Sequence, residues 1–312
     1  MTLSQLTYVL AVYRLGNFGA AAKACHITQP TLSMQIKKLE EESGIVVFDR
    51  SRQPVVPTQA GYVFIKQAEQ VVHEHEKLQA VVAQLKGSMA GELKIGVIPT
   101  LAPYFLPYAA GAFARKYREV HLRLVELTTD EIVAKLTTDQ LDAGLLVTPL
   151  RHSGIVEEKL FYEEIFLYAH PNHQVSQLSE VTLADLAQPG MWLLASGHCF
   201  RHQVLNLCSF SKEHATDMPF AFEGGSLETL RRLVDSEGGF TLLPELTTQE
   251  LNEDQLQNLK QFAAPCPLRE VSLVHTTSQA KVSILNAFKE VVLQHLPARL
   301  LQGDRGVVVE WK

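Results

Sequence analysis

Apolar positions in the first sixty residues predict three short helices joined by tight turns. From Leu3 to Leu15 the apolar side chains recur at helical spacing, and a Gly-Asn pair then supplies a stop signal. An alanine-rich stretch from Phe18 to Ala24 allows close helix packing. Behind Thr28, a typical N-cap, a third helix tolerates Pro30 in its first turn and runs to about Gly44. Three helices in this arrangement favour a helix-turn-helix.

The third helix presents a polar face that suits the major groove of DNA. Leu32, Ile36 and Leu39 lie at i, i+4 and i+7 and face the core, which turns the other side chains outward. Beyond the helix, residues 45–56 predict a short β-wing with two arginines. Polar side chains suit base edges, and cations suit phosphates. We expect DNA contacts from Thr28, Gln29, Pro30, Thr31, Ser33, Met34, Gln35, Lys37, Lys38, Arg50 and Arg52. The alternative is a small helical bundle with a solvated lysine face.

Residues 58–87 contain neither proline nor a clear turn signal and predict one long helix. Its apolar positions alternate spacings of four and three, which indicates a heptad seam. The seam comprises Phe64, Ala68, Val71, His75, Leu78, Val82 and Leu85. A helix of about 30 residues spans about 45 Å and can pair with its copy, which would set the distance between two recognition helices. The alternative is a helix that packs on the rest of its own chain.

From residue 92 to residue 300 the pattern alternates between strands and helices, which favours an α/β fold with a mainly parallel sheet. The predicted strands are Leu93–Ile98, Leu122–Glu126, Ala143–Val147, Ile165–Ala169, Trp192–Ala195 and Val271–His275. The predicted helices run from about Pro107 to Tyr117, from Asp130 onward, and from Val282 to Leu296. Residues after Leu301 fit no element of this pattern, and we expect a loose tail there.

Composition and charge narrow the class of protein. The 312 residues, 46% of them hydrophobic, suffice for several packed domains. No stretch has the apolar length of a membrane span and the N-terminus lacks the layout of a signal peptide, so we expect a cytoplasmic protein away from membranes. Four cysteines are too few for a secreted disulfide scaffold. The net charge is −6, yet the first sixty residues carry six Lys/Arg against four Asp/Glu, which favours nucleic-acid binding there alone.

Several motifs between residues 20 and 61 resemble the LysR-type transcription regulators. They are Ala20-Ala21-Ala22-Lys23-Ala24, Thr28-Gln29-Pro30-Thr31-Leu32-Ser33, Gln35-Ile36, Leu39-Glu40, Phe48-Asp49-Arg50 and Thr58-Gln59-Ala60-Gly61. The resemblance implies a winged helix-turn-helix domain at 1–57, a dimerising linker helix at 58–89, and a two-lobed effector domain like that of periplasmic binding proteins. It implies that the chain crosses between the lobes near Glu163 and Pro267. Lobe I is then expected at 90–163 and 268–298, lobe II at 164–267, and a C-terminal tail at 299–312.

Two cysteines, nine positions apart, are the most chemically specific feature of the effector domain. Gly197 ends the predicted strand before Cys199, so this cysteine falls near a helix N-terminus, which stabilises a thiolate. His198 and Arg201 are neighbours that can add positive charge or hydrogen bonds, and Cys199 is the candidate nucleophile. In a regular helix Cys208 would lie on the opposite face and about 13 Å along the axis, too far for a disulfide. Closure therefore requires local refolding.

Two other interpretations of this segment stay open on the residues alone. Both cysteines are of a type that often serves as a small buried hydrophobe. His198, Cys199, His202 and Cys208 are also metal-ligand types, although their spacing is irregular for a zinc site. Cys25 and Cys266 fit structural roles.

Further motifs resemble the members of the LysR family that sense hydrogen peroxide. They are Cys25-His26-Ile27-Thr28-Gln29-Pro30-Thr31-Leu32-Ser33, Ile98-Pro99-Thr100, Gly197-His198-Cys199, Cys208, Ser226-Leu227-Glu228-Thr229-Leu230 and Thr241-Leu242-Leu243-Pro244. The resemblance covers about residues 1–298. It implies a peroxidatic Cys199, a resolving Cys208, and peroxide held by the hydroxyl groups of Thr100 and Thr129. His198 and Cys208 would complete the pocket. Arg269 is similar to a family arginine near the cysteine, whereas His202 departs from the acidic residue of the family.

The resemblance therefore implies a peroxide-sensing LysR-type activator that is switched by a reversible Cys199–Cys208 disulfide and is not an enzyme. The expected partners are double-stranded promoter DNA, hydrogen peroxide, a thiol reductant system, RNA polymerase, and further copies of the chain in a homodimer or homotetramer. We expect no cofactor and no metal. Two alternatives remain: a LysR-type regulator that binds a small organic effector between the lobes, and a thiol peroxidase.

Overall fold

The structure of the protein, a computed structural model, describes residues 1–85, 89–207, 220 and 222–310. It divides into two compact units. The first runs from Met1 to Lys86 and includes Thr138–Gln140, and the second contains the rest of the chain. Among the helices described, none has both the length and the apolar character that crossing a membrane requires.

The first unit is a helical domain followed by one long helix. Its elements are α1 (Leu3–Leu15), α2 (Phe18–Ala24), α3 (Gln29–Ser43), β1 (Phe48–Asp49), β2 (Val56–Pro57) and α4 (Gln59–Leu85). The prediction of three short helices is confirmed, because local signals fix their ends: Asn17 and Thr28 cap α2 and α3, and Gly16 and Gly44 end α1 and α3 in the left-handed conformation. The strands β1 and β2 pair antiparallel as the wing.

The second unit contains one sheet that curls through two lobes. Its strands are β3 (Gly91–Val97), β4 (Val120–Glu126), β5 (Ala143–Thr148), β6 (Ile155–Ala169), β7 (Phe240–Pro244), β8 (Leu259–Lys260), β9 (Cys266–Thr276) and β10 (Gly306–Val308). Its helices are α5 (Ala102–Lys116), α6 (Thr129–Thr137), α7 (Cys199–Leu207), α8 (Leu227–Glu237), α9 (Glu253–Gln257) and α10 (Val282–His295). The strand order is β4-β3-β5-β9-β6-β7, with β10 on β9 and β8 on β6.

The two lobes share the long strands β6 and β9. Strand β6 pairs with β9 from Ile155 to Glu164 and with β7 from Ile165 to Ala169. Each lobe has its own apolar core: one cluster lies around β3, β5, α5 and α10, and the other lies around β7 and α8. The chain therefore crosses between the lobes along paired strands, at Glu163 on β6 and opposite it at Arg269 on β9.

Four sequence-based expectations in this unit are wrong. The sheet is not mainly parallel: β3–β4, β3–β5 and β9–β10 pair parallel, but β6 and β9 pair antiparallel with each other, and β5, β7 and β8 pair antiparallel with one of these two strands. Helix α5 begins at Ala102, before Pro107, which lies inside it. The segment 192–195 is not a strand. Side chains take carbonyls that a ladder would use: Thr241 donates to the Trp192 oxygen and Arg201 to the Leu194 oxygen. The described residues after Leu301, up to position 310, are not a loose tail, since Gly306–Val308 form β10 on β9.

Candidate redox site and nucleic-acid interface

Cys199 is the first residue of α7 and is buried. The turn before it passes through Gly197, whose φ of 94° lies in the region that favours glycine. The prediction that Cys199 opens a helix is thus confirmed. The Cys199 side chain belongs to the core of the first lobe, whereas the ring of its neighbour Phe200 belongs to the core of the second. The start of α7 therefore joins the two cores.

Three residues expected at the peroxide site, Thr100, Thr129 and Arg269, are linked to Cys199 or to one another. Thr129, the first residue of α6, is buried with Cys199 and favours its thiolate through the hydroxyl group. Arg269 Nη1 donates to Thr100 Oγ1 at 3.2 Å, and its positive charge also favours the thiolate. Apart from its interaction with the Cys199 sulphur, the buried Thr129 hydroxyl has no hydrogen-bond partner among the described residues. That hydroxyl is thus available to a small polar ligand.

Arg269 is held by a buried carboxylate, Glu163, that sequence patterns did not identify as a site residue. Its Nε donates to Glu163 Oε2 at 2.6 Å, and both side chains are fully buried. The guanidinium also lies over the Phe200 ring, 5.6 Å from the centroid. Glu163 faces Arg269 across the β6–β9 ladder. A glutamate at the expected lobe crossing was the available sequence signal, but its partner is 106 residues away and local patterns do not show it.

Burial dominates the acidity of Cys199. It raises the pKa of the thiol above its ordinary value, and the Thr129 hydroxyl, the Arg269 charge and the amides at the start of α7 offset only part of this rise. The expectation of a thiolate stabilised at the helix N-terminus is therefore only partly correct: the helix start favours the anion, but the resting residue is a thiol.

The raised pKa predicts a steep pH dependence of oxidation. Because only the thiolate attacks peroxide, we expect the rate of Cys199 oxidation to rise about tenfold per pH unit between about pH 6 and pH 8, with no plateau below about pH 8.5. Rapid quenching and mass analysis of the oxidised sulphur across this range measure the rate. A rate that is already constant at about pH 6 would contradict the assigned acidity.

The neighbours of Cys199 in sequence do not supply the positive charge expected of them. Burial lowers the pKa of His198, with a smaller opposing effect of Glu126, so this imidazole is neutral near pH 7. Arg201 Nη1 donates to the Leu194 carbonyl oxygen at 2.6 Å, so its guanidinium is engaged in the turn before α7. The cation that favours the thiolate is instead Arg269, which is distant in sequence.

Cys208 lies outside the described residues, immediately after the last residue of α7. Its resolving role and the geometry of the cysteine pair therefore stay predictions. The zinc interpretation also needs this residue. In the part of the chain that the structure describes, no group of three or more His, Cys, Asp or Glu side chains is placed to hold a metal ion.

The polar face of α3 is exposed, as a DNA-contacting face requires. Lys37 and Lys38 project into solvent and form only loose ion pairs with Glu41 and Glu42, at 3.6 and 3.9 Å. Met34 is also exposed. Gln29, Pro30 and Ser33 share this side of the unit, with Ser33 half-buried. Surface ion pairs of this kind contribute little to stability, so phosphates can replace the glutamates as partners of the lysines.

Other predicted DNA contacts have partners within the chain. Thr28 accepts from the Thr31 amide as the N-cap of α3, and the two hydroxyls are 2.8 Å apart. Gln35 Oε1 accepts from the buried Gln5 at 3.2 Å.

The two wing arginines differ in how firmly the chain holds them. Arg50 bonds Glu40 at 2.7 Å and lies over the Phe18 ring, so it also ties the wing to α3. Arg52 is exposed and pairs with Asp49 at 3.2 Å. Arg52 is therefore the freer of the two to reach a phosphate.

One face of α4 carries a row of exposed apolar side chains. Val71, Leu78, Val82 and Leu85 are exposed at heptad spacing, whereas Ala68 of the same seam is buried in the first unit. An apolar row on a polar helix is the usual contact surface of a paired helix.

Family comparisons cover both parts of the chain. Residues 3–62 match the family described as bacterial regulatory helix-turn-helix protein, lysR family, and residues 86–297 match the LysR substrate binding domain. These matches confirm the predicted fold class, with a helix-turn-helix ahead of a two-lobed α/β domain.

Individual relatives agree with these matches. The chain is 32% identical over 297 residues to a hydrogen peroxide-inducible genes activator of Pectobacterium carotovorum, which covers 95% of this chain and 97% of the relative. It is 34% identical over 276 residues to the DNA-binding transcriptional dual regulator OxyR of Escherichia coli K12, covering 88% and 89%. A full-length mutant OxyR from Pseudomonas aeruginosa has a similar structure, with a TM-score of 0.74, 28% identity and coverage of 97% and 98%. An H2O2-bound mutant OxyR from Corynebacterium glutamicum has a TM-score of 0.63, 25% identity and coverage of 94% and 92%.

Proposed function

The chain belongs to the LysR family of bacterial transcription regulators, and we propose that it senses hydrogen peroxide through Cys199 and responds by altering its action at promoter DNA. One observation carries the proposal. Cys199 is buried beside a threonine hydroxyl whose only partner among the described residues is its sulphur, and near a fully buried arginine, a setting that suits a small polar oxidant. The relatives named as peroxide-inducible activators or OxyR support it.

The chemistry has two steps. The Cys199 thiol first loses its proton, and the thiolate attacks one oxygen of peroxide; an S–O bond forms, the O–O bond breaks, and the departing hydroxide takes up a proton to give water. The Cys208 sulphur then attacks the sulfenic acid, an S–S bond forms, and a second water leaves. Both cysteine sulphurs are oxidised and one peroxide is reduced. Two thiols of a cellular reductant reverse the reaction and become a disulfide themselves.

The residues around Cys199 have distinct roles in the first step. The Thr129 hydroxyl can donate to a peroxide oxygen, and the Thr100 hydroxyl, held by Arg269, extends the same polar environment. The Arg269 charge favours the thiolate and the developing hydroxide. His198, neutral and half-buried, directly precedes Cys199 in the chain and could act as a hydrogen-bonding group.

The other parts of the chain serve DNA binding and pairing with a second copy. Residues 1–57 bind double-stranded promoter DNA, and the linker helix at 58–89 pairs with a second copy through its exposed apolar row. Lobe I (90–163 and 268–298) and lobe II (164–267) hold the sensor, and 299–312 follows them. A cytoplasmic homodimer or homotetramer that acts on RNA polymerase completes the proposal. The protein is a switch, with no multiple turnover of its own.

The test compares reduced and peroxide-treated protein. Mass mapping should find a Cys199–Cys208 disulfide after treatment with stoichiometric peroxide, and promoter binding should change with it. Thermal stabilisation by an organic effector that is indifferent to thiol state would instead support effector binding between the lobes. Sustained peroxide consumption with a thiol reductant, at many turnovers per chain, would support a peroxidase.

Replacing Thr129 by valine should slow the first step by about tenfold or more, because valine keeps the shape but loses the hydroxyl that favours the thiolate and orients peroxide. Thr129→Ser should keep most of the rate. Thr137→Val is the matched control, since Thr137 is exposed at the end of the same helix. Stopped-flow oxidation measures all three variants, and a wild-type rate in Thr129→Val would remove the residue from the mechanism.

Alanine at Lys37, Lys38 or Arg52 should weaken promoter binding at every sequence and lower the salt slope of the binding constant by about one per residue. Arg50→Ala should in addition lower the melting temperature of the first unit, because Arg50 bonds Glu40 and lies over Phe18. The control is Arg118→Ala, an exposed arginine of the second unit. Unchanged salt slopes in the first three variants would show that another face contacts DNA.

A further inference from the structure

The C-terminal residues Arg305–Glu310 return to the lobe crossing and pack beside α7. Strand β10 pairs parallel with the start of β9, in register from Gly306 opposite Cys266 to Val308 opposite Leu268. The Val309 amide then donates to the Leu268 oxygen at 2.8 Å. We call residues 305–310 the clasp.

One end of the clasp is fixed to the crossing strands by charge. Arg305 Nη1 bonds Glu164 at 2.8 Å, and its Nη2 donates to Glu245 and to the Tyr162 oxygen, each at 3.1 Å. The Arg305 side chain is mostly buried, and Glu245 is buried. Charge-assisted bonds in a half-buried setting are stronger than exposed ones, so this end is firmly held.

The other end of the clasp is bonded to α7. Gln203 Nε2 donates to the Val309 oxygen at 2.9 Å, and Asn206 Nδ2 donates to the Glu310 oxygen at 2.8 Å. Gln203 is fully buried and lies one helical turn after Cys199. Both donors are side chains of α7, and both acceptors are main-chain carbonyls, so the bonds depend on where the clasp backbone lies.

Helix α7 must unwind before the two cysteines can join. The Cα of Leu207 is about 12 Å along the axis from that of Cys199, and the next Cα is about 3.8 Å from it. At least about 8 Å therefore separates the Cα atoms of Cys199 and Cys208 while α7 is intact, beyond the reach of a disulfide. Gln203 and Asn206 both lie between the cysteines, so the clasp bonds the segment that must unwind.

We propose that the clasp is a positioning element of the redox switch: it holds α7 in its helical form, retards disulfide closure and favours the reduced protein. This inference rests on the proposed function. The clasp touches neither Cys199 nor Thr129 through any of these bonds, so it acts on the second step of oxidation and not on the reaction with peroxide.

The clasp can be released by a single substitution at Gly306, which adds only one carbon atom. A Cβ at this position would lie 2.0 Å from the Cys266 carbonyl oxygen, so Gly306→Ala cannot keep β10 against β9. Val307→Ala is the matched control, because Val307 is exposed on the same strand. Arg305→Met is a second variant that releases the charged end, and Arg305→Lys is its conservative counterpart.

The experiment uses full-length protein and three measurements. In reduced protein, hydrogen exchange of amides 203–207 should become at least tenfold faster in Gly306→Ala and Arg305→Met, with Val307→Ala unchanged. Disulfide closure after one equivalent of peroxide should accelerate at least tenfold, and the equilibrium in a glutathione buffer should shift at least tenfold towards the disulfide, about 30 mV for two electrons. Sulfenic acid formation, measured with Cys208→Ser added, should stay within about twofold of the wild type.

The outcomes separate the clasp from the function on which it rests. The proposed role of the clasp is wrong if its release leaves hydrogen exchange in α7 unchanged. It is also wrong if release leaves the rate of disulfide closure and the thiol–disulfide equilibrium unchanged. Equal slowing of both oxidation steps also overturns it, because that result indicates general damage. If exchange accelerates as expected but peroxide fails to oxidise Cys199 of the wild type, the proposed function is wrong and the clasp has no switch to act on.

Discussion

Cys199→Ser should abolish the response to peroxide, whereas Cys208→Ser should still be oxidised but stop at the sulfenic acid of Cys199. The thiolate attack needs one sulphur, and closure needs the second. A hydroxyl at position 199 is far too weak a nucleophile at neutral pH to replace the thiol. We therefore expect a loss of oxidation rate by several orders of magnitude in the first variant and a nearly normal first step in the second.

Mass spectrometry after trapping with a sulfenic-acid reagent distinguishes the two variants, and promoter binding before and after peroxide reports the switch. Cys25→Ser and Cys266→Ser are matched controls, because burial raises the pKa of both thiols and neither belongs to the site. A Cys199→Ser protein that still changes its promoter binding on treatment with dilute peroxide would move the sensor elsewhere in the chain.

The buried Glu163–Arg269 pair should give the largest effect on stability. Removing one partner leaves the other charge buried and uncompensated, so Glu163→Gln should lower the free energy of unfolding of the reduced effector unit by about 3 kcal/mol. The loss should show as a lower melting temperature. The double variant with Arg269→Met should recover part of it, because the stranded cation is then gone.

The same pair should move the reactivity of Cys199 in opposite directions. Arg269→Met removes a charge that favours the thiolate, so the pKa of Cys199 should rise further and oxidation at neutral pH should slow. Glu163→Gln leaves Arg269 less neutralised, so that pKa should fall and oxidation should quicken. Rate profiles across pH measure both shifts.

Asp142→Asn is the matched control for these variants. Asp142 and Lys281 form another buried pair of the same unit, at 2.9 Å, and Asp142 does not contribute to the pKa shift of Cys199. Asp142→Asn should lower the free energy of unfolding about as much as Glu163→Gln does, without changing the oxidation rate of Cys199. If Glu163→Gln and Arg269→Met both oxidise at the wild-type rate across pH, the pair has only a structural role.

Local signals made much of the first unit predictable. The caps at Asn17 and Thr28 and the glycines at 16 and 44 lie within one turn of the helix ends that they set, so a single sequence contains the information. Gly197 marked the start of α7 in the same way, since its left-handed turn lies two residues before Cys199. The heptad spacing likewise located the exposed row on α4.

What could not be predicted depends on contacts between distant parts of the chain. Arg50 was assigned to the DNA face on charge and position alone, and its ion pair with Glu40 is set by how the wing folds back on α3. Arg201 had the right position in sequence to serve Cys199, but a carbonyl in the preceding turn binds it instead. Strand β10 has little pattern of its own, since three residues acquire a strand conformation only against β9.

Cys199 and Phe200 belong to different cores, and this affects how a population of molecules responds to peroxide. Adjacent residues cannot leave two packed interiors independently, so withdrawing the sulphur from one also loosens the ring in the other. In the proposed switch, a molecule that has withdrawn Cys199 without closing the disulfide loses packing in both cores and gains no covalent bond, so we expect such molecules to be scarce. If the proposed disulfide is the switch, we expect limiting oxidant to give a mixture of fully switched and unswitched molecules, so that the response is graded by their proportion.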